Sequence, residues 1–265
     1  MEVKFGPSGL GGKEDAISHL EVFAKKGLKA CEVAFVYGVY LDKKSAEEIG
    51  EKAKELDIRL SIHAPYYINL NSDDKAKIFA SKKRILDCCE IGHHFSCGDK
   101  KRKTHIVFHA GFYGDDREKA FEVIKENILD LMKAVEEKEL NIVLCPEIMG
   151  KRNVFGSIDE ISKLVKETGC GFCIDFAHIL ARYDKHEYDL VKKEFGKFDF
   201  WHCHFSGIVY GDKGEKHHRH TEEKEWKELF SFLRGFENKE IIIISEAPNP
   251  VGDAEEGLEL STMSN

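Results

Sequence analysis

Short apolar runs alternate with longer amphipathic ones along nearly the whole chain. Strand-like runs fall at 3–5, 30–35, 59–63, 105–109, 141–147, 171–175, 198–204 and 240–246. Between them lie helix-like stretches at 14–26, 43–56, 74–94, 116–137, 158–167, 188–195 and 222–233. Within 116–137, Phe121, Ile124, Ile128 and Leu131 recur at helical spacing. Eight strand–helix units at a period of about 30 residues predict a parallel sheet of βα units. In a chain of 265 residues this means an α/β fold, a (β/α)8 TIM barrel forming a single domain over 1–265. A doubly wound open sheet is disfavoured, because no G-x-G-x-x-G follows the first strand. The tail after Glu246 is polar and short, so the last helix is expected to be short or frayed.

The apolar runs share an ending. LSIHAPY places His63 at a strand end, IVFHAG His109, IVLCPE Glu147 and IIIISEAP Glu246. CIDFAHIL carries Asp175 and His178, and FWHCHFS carries His204. A carboxylate at the tip of a buried strand is costly unless positive charge meets it. A metal ion would do so, and Asp and His suit zinc or manganese. The plainer alternative for Asp175 is a cap on the following helix. In a barrel the carboxyl ends of all strands meet at one mouth, which converges these separate stretches on one site. His202 alternates with His204 and reads more readily as a satisfied interior histidine than as a ligand.

Composition narrows the setting. Net charge is −8 with 33% charged residues, which argues weakly against nucleic acid as a partner of the whole surface. Acidic metal ligands would inflate that count, and a site can be basic on an acidic protein. The N-terminus opens without a basic-then-apolar signal, and no apolar run approaches the ~18 residues of a membrane span. The eight cysteines lack the spacing of a disulfide framework and are expected as reduced thiols, in a monomer in the cytoplasm. The basic run DKKRK at 99–103 precedes its strand and belongs on the face opposite the site.

Taken together, SIHAPYYINL, IVFHAG, LCPE, CIDFAH, HCHFSG and SEAPN resemble the endonuclease IV family of apurinic/apyrimidinic endonucleases, in order and over nearly the whole chain. The resemblance implies two or three zinc ions, with manganese or iron possible. One would be held by His63, His109 and Glu147. A second would share Glu147 and add Asp175, His204 and Glu246. A third would use His178 and an Asp-x-His pair that this chain lacks: GDKGEKHHRHTEE allows His218 with His220 in one register, or Lys216 with His218 in the other. Glu147 would be the catalytic residue, bridging two metals. The implied activity is metal-dependent hydrolysis of double-stranded DNA 5′ to abasic sites, leaving a 3′-hydroxyl, in base excision repair.

The family's Arg-bearing loop after the second strand is replaced here by VAFVYGVYLDKK, which has no Arg. Tyr66, with Tyr67, Phe112 and Tyr113, stands in loops suited to wedging a duplex. Lys151, Arg152 and Arg219, with Lys213 and Lys216, would form a phosphate-attracting rim. Glu147, Asp175, His204 and Glu246 alone would suffice for the alternative, a divalent-metal sugar isomerase or epimerase of the wider xylose isomerase-like superfamily. A metal-holding barrel without catalysis is the third reading.

Overall fold

A computed structural model describes residues 2–263. In chain order the elements are β1 (Glu2–Pro7), α1 (Ala16–Lys25), β2 (Ala30–Ala34), α2 (Lys43–Glu55), β3 (Arg59–His63), α3 (Lys75–Phe95), β4 (Thr104–Phe108), α4 (Arg117–Glu137), β5 (Ile142–Pro146) and α5 (Ile158–Thr168). There follow β6 (Cys173–Asp175), α6 (Phe176–Tyr183), α7 (Tyr188–Phe195), β7 (Phe200–Phe205), β8 (Gly207–Gly211), β9 (Gly214–Arg219), α8 (Glu223–Leu233), β10 (Glu240–Ser245) and α9 (Pro250–Met263).

Two four-stranded sheets, ordered β1-β10-β7-β6 and β2-β3-β4-β5, pair in parallel. Bridges between Ser8 and Glu32 and between Glu147 and Cys173 join them into one barrel. Closure at the first seam depends on Gly6, where a Cβ would lie 1.9 Å from the Ala30 carbonyl oxygen. The strand pleat sorts residues between two environments. On β7, Trp201, Cys203 and Phe205 join the layer beneath the helices, as do Ile241 and Ile243 of β10. Their alternates, His202 and His204, and Ile242 and Ile244, point into the barrel. The interior is therefore unusually polar at its upper half, and Glu32, Ser61, His63, Glu147 and Asp175 are all buried there.

The helices begin where side-chain chemistry says they should. Asp42 and Ser45 form a capping box, Ser157 and Glu160 another, and Asp116 accepts from the amides of Glu118 and Lys119. Two features differ from the pattern reading. A second helix, α6, starts directly at the end of β6, and the β8–β9 hairpin follows β7. The chain also closes on a full 14-residue helix rather than a short or frayed one. The buried face of α9 is small and polar, made of Asp253, Ala254 and Gly257, so it carries little apolar signal. Asp253 accepts from the Thr221 amide and hydroxyl, both at 2.8 Å, and from the Ser245 hydroxyl at 2.9 Å. Gly257 lets Trp226 approach, where a Cβ would meet the ring at 2.7 Å.

Candidate metal centre

Glu147 follows the last residue of β5 and is 1% exposed. Its Oε2 lies 3.3 Å from His63 Nε2 and 3.1 Å from His109 Nε2. Its Oε1 lies 3.1 Å from His178 Nδ1 and 3.4 Å from His204 Nδ1. One carboxylate thus faces histidines from four elements. Two donor sets meet on it: His63, His109 and Glu147, and Glu147, Asp175, His204 and Glu246, with the ligand atoms of each within 4.8 Å of one another. His178, Glu215 and His218 make an adjoining third set.

Backbone carbonyls accept and never donate, so they settle which ring nitrogen carries a proton. His63 Nδ1 donates to the Ala64 carbonyl at 2.8 Å, which leaves Nε2 to face Glu147. His178 Nδ1 donates to the Ile148 carbonyl at 3.0 Å, which leaves Nε2 facing Glu215 Oε2 at 3.3 Å. Ser206 donates to the Gly207 carbonyl and stands 2.6 Å from His218 Nδ1. Asp175 serves twice. Its Oδ1 caps α6 by accepting from the His178 amide at 2.7 Å, and its Oδ2 is buried without a hydrogen-bond partner.

Glu147 Oε1 and His204 Nδ1 are likewise buried without hydrogen-bond partners. Orphaned acceptors aimed at one point are expensive unless a cation sits among them. The donors fit a divalent metal of the zinc, manganese or iron type, being imidazole nitrogens and carboxylate oxygens only. Charge in the cluster tells the same story. Burial works against ionising Glu147, yet His109, His178 and His204 hold its carboxyl well below the usual range. Burial disfavours a charged His63, but Glu147, Glu32 and Glu246 lift the imidazole to about 9. Burial, with Glu147 and Glu246 near by, pushes Asp175 up to about 6 despite His178. The carboxylates thus demand positive charge at this point of the barrel.

The hairpin is what completes the third set. Glu215 stands on β9, its amide donating to the Gly150 carbonyl at 3.3 Å, and Gly150 leaves room for it: a Cβ there would lie 2.8 Å from Glu215 Cβ. Of the two registers open in the sequence, His218 is brought to His178, but neither Lys216 nor His220 joins it. His220 turns to the closing helix, with Nδ1 3.1 Å from Asp253 and Nε2 3.3 Å from Glu256. Glu215 takes the acidic place instead. It stands outside any Asp-x-His spacing, and an acid directly after a turn glycine, Gly214, is too common a pattern to mark a ligand.

The rim also differs from expectation. Tyr66 is 58% exposed and stands over His63 and His109, with ring centroids 6.0 and 5.8 Å away. Tyr67 and Phe112 are exposed too, but Tyr113 is buried, its hydroxyl donating to Glu160 at 2.8 Å and accepting from Arg182. Lys151 lines the mouth. Arg152 donates to Asp184 at 2.5 Å, and Arg219 grips Glu225 with two nitrogens at 2.7 and 2.9 Å. Both arginines are therefore turned to acidic neighbours and not into the cavity, which measures about 640 Å³. All eight cysteines are free, and all but Cys97 are buried. Among the described residues no helix is long and apolar enough to cross a membrane.

Eight parallel strands form a barrel with adjoining His, Asp and Glu sets at its carboxyl-end mouth that could hold metal ions. The chain belongs to the xylose isomerase-like TIM barrel family, whose model matches residues 20–262. It is 35% identical over 254 residues to an uncharacterized protein of Methanocaldococcus jannaschii, covering 90% of each chain. It is 24% identical over 177 residues to a probable endonuclease 4 of Mycobacterium ulcerans, covering 64% of this chain and 66% of that one. Solved structures share the fold: SacUVDE at a TM-score of 0.73 and 16% identity, over 100% of this chain and 99% of that one. The D-psicose 3-epimerase of Clostridium cellulolyticum H10, with D-tagatose, aligns at 0.70 and 14%, over 99% of both.

Proposed function

We propose that the protein is a metal-dependent endodeoxyribonuclease that hydrolyses duplex DNA 5′ to abasic sites and leaves a 3′-hydroxyl. The observation that carries this reading is Glu147, whose two oxygens face two donor sets at once. A one-metal isomerase needs only Glu147, Asp175, His204 and Glu246, and has no use for His63 and His109. The similarity to probable endonuclease 4 supports the same choice.

His63, His109 and Glu147 would hold one ion, Glu147, Asp175, His204 and Glu246 a second, and His178, Glu215 and His218 a third. When bound, paired divalent ions supply Lewis acidity towards phosphoryl oxygens and a reactive water at neutral pH. The chain's own part is to hold the ligands rigid, to share one negative charge between two ions, and to shape the mouth. Met149, Val154 and Pro250 wall the cavity with apolar surface, and Tyr66 at its lip offers a ring against which an extruded sugar or base can stack.

Zinc-loaded protein incubated with a duplex carrying one abasic site is expected to yield a 3′-hydroxyl and a 5′-deoxyribose phosphate. Glu147→Gln is expected to lower the rate by at least about 10³-fold, since it removes the charge both ions share. A 3′-unsaturated aldehyde, or full activity in the variant, would refute the mechanism. The second reading, a sugar isomerase or epimerase, draws on a cavity of about 640 Å³ and the engaged rim arginines. One metal per chain and turnover of a ketose or aldose would establish it instead.

A further inference from the structure

Glu32 lies in the middle of β2, 0% exposed, with no part in the donor sets above. A buried carboxylate in a barrel interior needs partners: this one has hydrogen bonds on Oε2 and a close charge contact, without hydrogen-bond alignment, on Oε1. Its Oε1 is 2.9 Å from His204 Nε2. Its Oε2 is 2.9 Å from His202 Nε2 and accepts from Ser61 Oγ at 2.9 Å. His202 and His204 are alternate residues of β7, so the pleat points both rings to the same interior side.

The far edge of the His204 ring faces the metal centre. Nδ1 is 3.4 Å from Glu147 Oε1, 3.6 Å from Glu246 Oε2 and 3.9 Å from Asp175 Oδ2. A histidine binds metal through a bare nitrogen, so the proton must sit on the other one. An ionised carboxylate accepts only, and Glu32 meets His204 at Nε2. The charge of Glu32 beside Nε2 therefore favours the tautomer that leaves Nδ1 free.

We propose that Glu32 is a positioning residue of the metal centre: its charge, 2.9 Å from His204 Nε2, favours the proton there so that Nδ1 addresses the ion, while His202 and Ser61 keep the Glu32 carboxylate from turning. The proposal rests on the reading of Glu147, Asp175, His204 and Glu246 as a metal site. Carboxylates in this outer position typically change metal affinity 10–100-fold when removed. Glu32→Gln keeps the shape but offers one acceptor and one donor, so it cannot serve both histidines as an acceptor.

The test has two arms that separate this proposal from the reading beneath it. In the first, zinc titration against a competing chelator compares wild type, Glu32→Gln, Ser61→Ala and His204→Ala. Wild type is expected to lose one zinc on His204→Ala. Glu32→Gln is expected to bind that zinc 10–100-fold more weakly with the others unaffected, and Ser61→Ala only a few-fold more weakly. If His204→Ala keeps its full metal complement, the site reading fails. If it loses a zinc while Glu32→Gln binds as wild type does, the Glu32 role fails. The second arm needs no variant of Glu32: ¹⁵N-histidine spectra of the zinc-loaded wild type, with the His204 signal assigned by its loss in His204→Ala. A proton on Nε2 is the expected result, and a proton on Nδ1 overturns the proposal. A lower zinc count in Cys173→Ser would also overturn it, since Cys173, His202 and His204 would then be holding an ion from inside the barrel.

Discussion

Two glutamates that share no motif with the strand-end ligands decide how the site is built. Glu215 supplies the third set with an acid, and Glu32 orients a histidine of the second. The third set can be checked by counting metals. Glu215→Gln and His218→Ala are each expected to lower the zinc content by one ion per chain after gel filtration, because each leaves too few donors for a stable site. His220→Ala is expected to leave the content unchanged, since its ring is held by Asp253 and Glu256. Loss of zinc in His220→Ala with none in Glu215→Gln would return the site to the register that pairs His218 with His220.

At the scale of elements, the closing helix and the hairpin matter most. α9 is anchored by a satisfied buried acid instead of an apolar stripe, with Asp253 receiving three hydrogen bonds from Thr221 and Ser245. Asp253→Ala strands those donors and is expected to cost about 2–3 kcal/mol in urea unfolding. Asp253→Asn, which keeps an acceptor, is expected to cost less, and equal costs would point to charge as the anchor. The loop after β5 is held in a comparable way, with the buried Arg182 donating to the carbonyls of Met149, Lys151 and Val154. That loop presents Lys151, and Gly150 in it admits Glu215 from the hairpin.

The molecule as a whole is acidic, with 48 Asp and Glu against 40 Lys and Arg, so binding to DNA has to come from local charge. With Arg152 and Arg219 paired to acids, Lys151 is, among the described residues, the cation that lines the mouth. Lys101 lines a hollow at the amino-terminal ends of the strands, with Arg59 and Lys103. Lys151→Glu is expected to weaken binding to an abasic-analogue duplex about tenfold or more in fluorescence anisotropy and to flatten its salt dependence by about one unit of slope. Lys101→Glu is expected to change it much less. Equal effects would put the DNA on the wrong face.

How much of the protein is legible in its sequence follows from where the information sits. Strand ends such as IVFHAG and IIIISEAP carry their message locally: apolar alternation marks the strand, the terminal His or Glu marks the tip, and barrel geometry brings all tips together. The fold and the convergence of His63, His109, Glu147, Asp175, His204 and Glu246 could therefore be argued from the chain alone. Fragments like ACEVA and GDKGEKHH carry no such message. Whether Glu32 meets His202, 170 residues away, or Glu215 reaches His178 depends on distances through space that no spacing along the chain encodes. The same holds for Arg152 and Arg219, whose charges are available or engaged according to neighbours from other elements. The sequence by itself determined the barrel and the strand-end residues that meet at its mouth, because periodicity acts within one element. Only the tertiary structure decided which acids face which rings, because that choice is made between elements.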